Sequence, residues 1–334
     1  MAYAIIRRLL FTLPPETAHH LTLTSLQQFS RLGTLNPLRQ TLPANPVKIM
    51  GLQFPNPIGL AAGLDKNADC IEGLAALGFG FVEIGTLTPI AQPGNPQPRL
   101  FRIPQAEALI NRMGFNNKGI DYAIRNIEKS AYQGILGINI GKNRETPVDS
   151  ALDDYNIGLR KAYPHADYIT VNISSPNTPG LRQLQEAEQL TTLLSGLKHT
   201  RSQLEQTHQK TVPIAIKIAP DCTTEQLKQI ADLSVNYDMN ALIATNTTAA
   251  RPSVEGLPDA DQQGGLSGAP LFEKSLETIR NLNMILEGEI AIIGCGGITT
   301  RKRATAMLTA GASLIQVYSG LIYQGPELLK RISP

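Results

Sequence analysis

Four apolar runs of this chain carry a hydrophilic residue at the end where each run finishes. Asn139 lies between Ile138 and Ile140, Asn172 between Val171 and Ile173, and Lys217 between Ile216 and Ile218, while Thr245-Asn246 closes the run that begins at Ala241. Burying one amide without a partner costs about 1–3 kcal/mol, and an unpaired ammonium costs far more. Packing alone therefore does not account for four such positions in succession, and they are expected to converge on a polar ligand. The competing account is that they satisfy one another in a closed internal network.

A second group of residues suits an anion. Gly294-Cys295-Gly296-Gly297-Ile298-Thr299 turns out of one apolar run, and Tyr318-Ser319-Gly320 ends the next. Glycine lets backbone N–H groups approach a phosphate closely, although tight turns need glycine as well. Gly268, in Gly264-Gly265-Leu266-Ser267-Gly268, is expected to join that cradle. A mononucleotide such as FMN would place its phosphate there and its ring over the strand ends. Lys217 would then stabilise the charge of a reduced flavin; otherwise it snorkels to water.

A third string, Asn172-Ile173-Ser174-Ser175-Pro176-Asn177-Thr178-Pro179-Gly180, leaves its run for a proline-stiffened loop. Its composition is that of an ordinary turn, yet it offers Ser175 as a base or nucleophile. A Ser-His-Asp hydrolase is disfavoured, because no G-x-S-x-G elbow surrounds Ser175. The five histidines, His19, His20, His165, His199 and His208, also lie away from the ends of the apolar runs.

These residues need a scaffold, and the apolar runs supply one. Eight of them recur after Pro57: 58–62, 81–86, 135–140, 168–173, 214–218, 241–245, 290–294 and 313–318. Helical stretches alternate with them, at 68–76, 148–162, 186–199, 224–235, 271–286 and 300–310. Strands apolar on both faces, each followed by a helix, imply a parallel sheet, and eight such units close into a (β/α)8 TIM barrel of the α/β class. Two connections, 87–119 and 247–270, are too long for turns. Both follow strands and so project from the C-terminal rim, where they are expected to cover the site.

The composition fits one soluble domain, with 42% hydrophobic and 17% charged residues and a net charge of +2. Near-neutral charge gives no reason to expect nucleic acid as a partner. Cys70, Cys222 and Cys295 are scattered, with no C-x-x-C pair, so neither a disulfide framework nor a metal site is expected. Residues 1–40 form a separate helical segment. They carry Arg7, Arg8, Arg31 and Arg39 against the single acid Glu16, and Pro14-Pro15 divides them into two short helices. The second would align Ala18, Leu21, Ser25, Leu26 and Phe29 on one side, either capping the barrel or lying on an anionic bilayer.

The ordered motifs resemble those of class 2 dihydroorotate dehydrogenases along essentially the whole chain. Ala61-Ala62-Gly63-Leu64-Asp65-Lys66-Asn67 resembles the family's first flavin loop, and Asn111-Arg112-Met113-Gly114-Phe115-Asn116-Asn117 its substrate lid. The Ser175 string, Lys217, Thr245-Asn246-Thr247, the Gly268 segment and the glycines ending at Gly297 match in order. The resemblance implies oxidation of dihydroorotate to orotate in pyrimidine biosynthesis. Ser175 would take the C5 proton, helped by Thr178 and a water beside Phe115, as the C6 hydride passes to FMN. It places substrate against Lys66, Asn111, Arg112, Met113, Gly114, Phe115, Asn172, Asn177, Asn246 and Thr247. It places FMN against Ala62, Gly63, Leu64, Asp65, Lys66, Thr86, Asn139, Asn172, Lys217, Thr245, Gly268, Gly297, Tyr318 and Ser319.

Serine in place of the cysteine of soluble class 1 relatives, together with the basic extension, implies a quinone acceptor. It also implies peripheral attachment to the phospholipid surface on the cytoplasmic face of the cell membrane, with His19, Arg102 and Tyr318 near the quinone path. Residues 41–334 would be the FMN barrel. A soluble class 1 type oxidoreductase using fumarate or NAD, or a non-catalytic phosphate-binding barrel, remain the alternatives.

Overall fold

The computed structural model describes residues 2–333. In chain order its strands are β1 Val47–Ile49, β2 Leu52–Phe54, β3 Ile58–Leu60, β4 Phe81–Leu87, β5 Leu100–Ile103, β6 Ala108–Asn111 and β7 Ile135–Ile140. They continue with β8 Tyr168–Asn172, β9 Ile214–Ile218, β10 Ala241–Ala244, β11 Gly265–Gly268, β12 Ala291–Cys295 and β13 Leu314–Val317. Eight of them, β3, β4, β7, β8, β9, β10, β12 and β13, close in that order into a parallel barrel. These eight are the runs expected from the sequence.

Alternate residues of each strand point inward, and the interior changes character with height. At the bottom Phe81, Tyr168, Ala215, Ala241, Ile293 and Leu314 form an apolar plug. Two residues further along β4, β8, β9 and β13 come Glu83, Thr170, Lys217 and Gln316, all buried. The aromatic plug needs space that only glycine leaves: a Cβ on Gly59 would strike the Phe81 ring, and one on Gly137 the Tyr168 ring. The antiparallel hairpin β1–β2 closes this end, with the Phe54 ring edge-on to Phe81 at 5.1 Å.

The two long connections lie over the rim as expected, and they do so with regular structure of their own. β5 and β6 from the first pair with β11 from the second in one antiparallel sheet, in which Asn111 is opposite both Leu100 and Gly265. Ile103, Ala108, Ile110, Val254, Ala260 and Leu266 form a small core beneath it. Strands of four residues carry too few alternations to stand out in a sequence. The helix Ile120–Lys129, which follows this lid, was likewise not anticipated, and the helix expected to end at His199 continues to His208.

The extension is the expected helix pair, α1 Ala2–Thr12 and α2 Pro15–Ser30. Pro15 starts α2, where a missing N–H costs nothing. The apolar side expected for α2 is divided. Ala18 and Leu26 are buried against the barrel, whereas Leu21 and Phe29 are 50% and 38% exposed. Polar and cation–π contacts to the barrel fasten the pair. The Arg102 guanidinium donates to the Leu13 carbonyl at 2.9 Å and lies over the Phe11 ring. Arg7 donates to the Tyr323 carbonyl at 2.6 Å. Glu16, the only acid here, pairs with buried Arg99 at 3.0 Å.

Removing one partner of a largely buried pair strands the other. Glu16→Gln is therefore expected to loosen α2 by about 2 kcal/mol. Hydrogen exchange of amides in 15–30 should quicken by at least about tenfold, with barrel-strand amides unchanged; unchanged exchange in α2 would mean that its apolar contacts suffice to hold it.

Candidate active site

A cleft of about 1130 Å³, its mouth included, opens at the C-terminal rim beneath the lid. Its walls bring together Ala62, Gly63, Lys66, Thr86, Asn172, Lys217 and Thr245 from the strand ends, and Asn111, Met113, Gly114 and Phe115 from the lid. Ser175, Asn177, Asn246, Thr247, Gly268, Gly297, Tyr318 and Ser319 complete the anticipated set that lines it. Asn172 and Lys217 are register partners on β8 and β9, so they stand at one height.

The asparagines do satisfy one another in part, as the competing account required. Thr86 Oγ1 donates to Asn139 Oδ1 at 2.6 Å, Asn172 Nδ2 donates to Thr86 Oγ1 at 3.0 Å, and Asn246 Nδ2 reaches Asn172 Oδ1 at 3.3 Å. The network is nevertheless open at the top. Lys217 is 6% exposed, and no hydrogen bond or ion pair to another described residue engages its ammonium. Thr247 Oγ1 and Gln316 Oε1, both on residues lining the cleft, are buried without a partner. Polar atoms left in this state call for a ligand.

Glycines at the opposite end form a cradle from two loops. Gly268, Gly296 and Gly297 have φ of 95°, 126° and 69°, a region open to glycine and strained for other residues. A Cβ on Gly297 would lie 2.6 Å from the Phe272 backbone nitrogen. Ser267 and Ser319 hydroxyls meet beside it at 2.9 Å.

Ser175 sits between these regions and the lid. It is buried, and its hydroxyl accepts from the Asn177 backbone at 3.2 Å. The Asn177 side chain donates to the Asn111 carbonyl at 3.0 Å, which ties the Ser175 loop to the lid strand β6. Thr178 is outside the cleft lining, but its buried hydroxyl lacks a partner. Lys66 is drawn down to a pKa of about 8, chiefly by burial, with Arg99 adding to the effect and Glu16 and Asp65 opposing it. Burial likewise lowers His19 well below the usual histidine range, with the Lys66 charge second.

Several expected contact residues lie elsewhere. The Asp65 carboxylate is occupied by the backbone N–H groups of Asn67, Asp69 and Cys70, and burial raises its pKa despite those bonds. It shapes the Lys66 loop and, like Leu64, does not line the cleft. Arg112 turns outward, donating to Gln262 Oε1 at 3.1 Å and the Pro98 carbonyl at 2.9 Å, and so clasps the two lid segments together. Asn139 lies one layer below the cleft, fully buried. Arg102 and His19 belong to the extension and its docking surface; Tyr318 is the one residue expected near the quinone path that lines the cleft.

Glu83 and Gln316 were overlooked, although Val82-Glu83-Ile84 and Ile315-Gln316-Val317 carry the same polar-within-apolar signal as Asn139. Asn116, Ser267 and Cys295 also line the cleft. Among the described residues no cluster of three or more His, Cys, Asp or Glu is arranged to hold a metal ion.

The family model for dihydroorotate dehydrogenase matches residues 45–334. A relative from Methylococcus capsulatus, dihydroorotate dehydrogenase (quinone), is 57% identical over 328 residues, covering 98% of this chain and 96% of its own. Its counterpart from Pasteurella multocida is 57% identical, covering 99% of this chain and 98% of its own. The crystal structure of the Eimeria tenella DHODH in complex with ferulenol superposes with a TM-score of 0.88 at 38% identity, over 95% of this chain and 89% of that one. With its barrel, its lidded rim cleft and these relatives, the chain belongs to the dihydroorotate dehydrogenase family, among relatives named for the quinone-dependent class.

Proposed function

We propose that this chain oxidises dihydroorotate to orotate in pyrimidine biosynthesis, with FMN in the rim cleft and a quinone as final electron acceptor. One observation carries the reading: a glycine cradle, an unpaired lysine and a serine–asparagine cluster line one cleft in that order of chemistry. The residues present fit FMN. Gly268, Gly297 and Ser319 suit its phosphate, and Thr86, Asn172, Lys217 and Thr245 its ring, with Asn139 supporting them from below. When bound, FMN supplies the hydride acceptor and the electron relay to quinone.

The chain's own groups position the substrate and take its proton. Asn111, Asn172, Asn177 and Asn246 offer the amide donors and acceptors that a pyrimidine ring and its carboxylate require, and Lys66 offers a cation. Ser175 removes the C5 proton. A serine hydroxyl is a weak base, so the proton must move on, and the unpartnered Thr178 hydroxyl three residues away is the natural next carrier. Phe115 and the lid exclude bulk water from that transfer.

The extension supports peripheral attachment to a membrane at its cytoplasmic face. Ile5, Ile6, Leu9, Leu21, Phe29, Leu32 and Leu35 are exposed large apolar side chains within 35 residues of the start, with Arg8, Arg31 and Arg39 exposed among them. No helix among the described residues is long and apolar enough to cross a membrane. His19 and Arg102, where the extension meets the barrel, together with Tyr318 in the cleft, suit a quinone path between lipid and flavin.

Mixing the purified yellow protein with dihydroorotate without oxygen should bleach it; a colourless protein that binds no FMN overturns the reading. Ser175→Ala should keep the chromophore and lose at least about a hundredfold in turnover, and near-normal turnover would remove the serine from its role. Lys66 is a cation below pH about 8 and neutral above it. The KM for the anionic substrate should therefore climb as pH passes 8, and Lys66→Met should flatten that climb; a flat profile in the unaltered enzyme dissociates Lys66 from the carboxylate. Leu9→Glu with Leu21→Glu should abolish sedimentation with vesicles of anionic phospholipid and slow quinone reduction, leaving bleaching by dihydroorotate intact. Full quinone activity without vesicle binding would refute the attachment.

A further inference from the structure

Below the cleft, at the centre of the barrel, lies an acid that the proposed reaction does not use. Glu83 is fully buried on β4, and every hydrogen bond it makes is one it receives. Asn139 Nδ2 donates to its Oε1 at 2.8 Å, while Tyr168 Oη at 2.8 Å and Gln316 Nε2 at 2.6 Å donate to its Oε2. An ionised carboxylate can only accept, whereas an amide both donates and accepts and a hydroxyl can turn either way. The acid therefore fixes the orientation of whatever touches it, and its neighbours pass that orientation on.

The direction can be followed upward. With Nδ2 committed to Glu83, Asn139 presents Oδ1 to Thr86, whose hydroxyl must then donate. The Thr86 oxygen is left to accept from Asn172 Nδ2, which turns Asn172 Oδ1 toward Ser174 Oγ at 3.0 Å and Asn246 Nδ2 at 3.3 Å. Asn246, having committed Nδ2 downward, presents Oδ1 to the Thr247 backbone N–H at 2.8 Å. Every link points toward Glu83. On the other branch, Gln316 Nε2 is committed to Glu83, so its unpartnered Oε1 is the atom left for the cleft that Gln316 lines.

We infer that Glu83 is a positioning residue for the active site: as the acceptor at the foot of a one-way hydrogen-bond ladder that rises through Asn139, it sets which face of Thr86, Asn172 and Asn246 is shown to the bound ring. This rests on the proposed function only in taking orotate and FMN as the molecules that read the ladder. A core filler would have no need of a carboxylate here. Burial of an acid in a barrel interior is costly unless its charge is used.

The test exchanges polarity without changing shape. In Glu83→Gln the new amide still accepts from Tyr168 and Gln316 through one oxygen, but presents an N–H to Asn139. Asn139 must then flip and donate to Thr86, whose hydroxyl hydrogen, having lost its acceptor, turns to Asn172; Asn172 must present Oδ1 in place of Nδ2 and so gives up the bonds it receives from Ser174 and Asn246. Glu83→Gln combined with Asn139→Asp moves the carboxylate one rung up and restores the direction from Thr86 onward. Orotate affinity, read from the spectral change of the oxidised flavin, should weaken at least about tenfold in the single variant and recover to within about threefold of the unaltered protein in the double variant.

Flavin content and melting temperature measured alongside separate reorientation from unfolding. If the single variant does not fold, the double variant still decides, since near-normal orotate binding there requires direction and not the acid at position 83. An unchanged affinity in the single variant, or a double variant no better than a folded single one, overturns the inference. Failure of the unaltered protein to hold FMN or respond to orotate would instead overturn the proposed function, and the two outcomes are distinct.

Discussion

The interior of a parallel barrel offers no water, so any hydrophilic group placed there must find its partner within the protein or in a ligand. This chain places Glu83, Asn139, Thr170, Asn172, Lys217 and Gln316 inside its barrel, all of them buried. A low effective dielectric strengthens each bond that is made and raises the cost of each that is not. Asn139, Tyr168 and Gln316 close around Glu83, although the buried Thr170 hydroxyl beside that layer lacks a partner; the upper groups, led by Lys217, are left incomplete at the rim. That gradient, from aromatic plug to satisfied network to open polar rim, turns a packed scaffold into a site.

The lid and the extension follow from the same demand. Incomplete polar groups are useful only where bulk water is kept from competing for them, and the sheet β5–β6–β11 provides the cover. It is fixed from two sides. Arg112 clasps its two segments, and Asn177 ties it to the Ser175 loop. On its outer flank Arg99 and Arg102, the first just before β5 and the second on it, hold α2 and the end of α1. A single structural unit thus touches the reacting end of the cleft and the segment with the exposed apolar side chains.

Electrostatics within the cleft is set by burial more than by pairing. Lys66 and His19 are both driven toward their neutral forms by desolvation, and the Lys66 charge lowers His19 further. The Cys295 thiol beneath is held up by burial, with Lys217 lowering and Glu83 raising it, which locates that cation and that acid around one point of the barrel.

The sequence by itself determined the barrel and most of its rim. Eight long runs with continuous apolar character are governed by local burial, and polar residues such as Asn172 and Lys217 stand out against them because their cost is fixed wherever the strand packs. The ordered motifs carried the family. Only the tertiary structure decided how those residues are used. Asp65 and Arg112 sit within cleft-lining motifs, yet Asp65 turns its carboxylate back on its own loop and Arg112 spends its side chain on a segment brought near by folding. The lid strands β5 and β6 form a short local hairpin, but β11 joins them by pairing across more than a hundred residues, which no local pattern encodes. The direction of the hydrogen bonds rising from Glu83 belongs to the same class, since an amide's orientation is set by the partner facing it across the barrel.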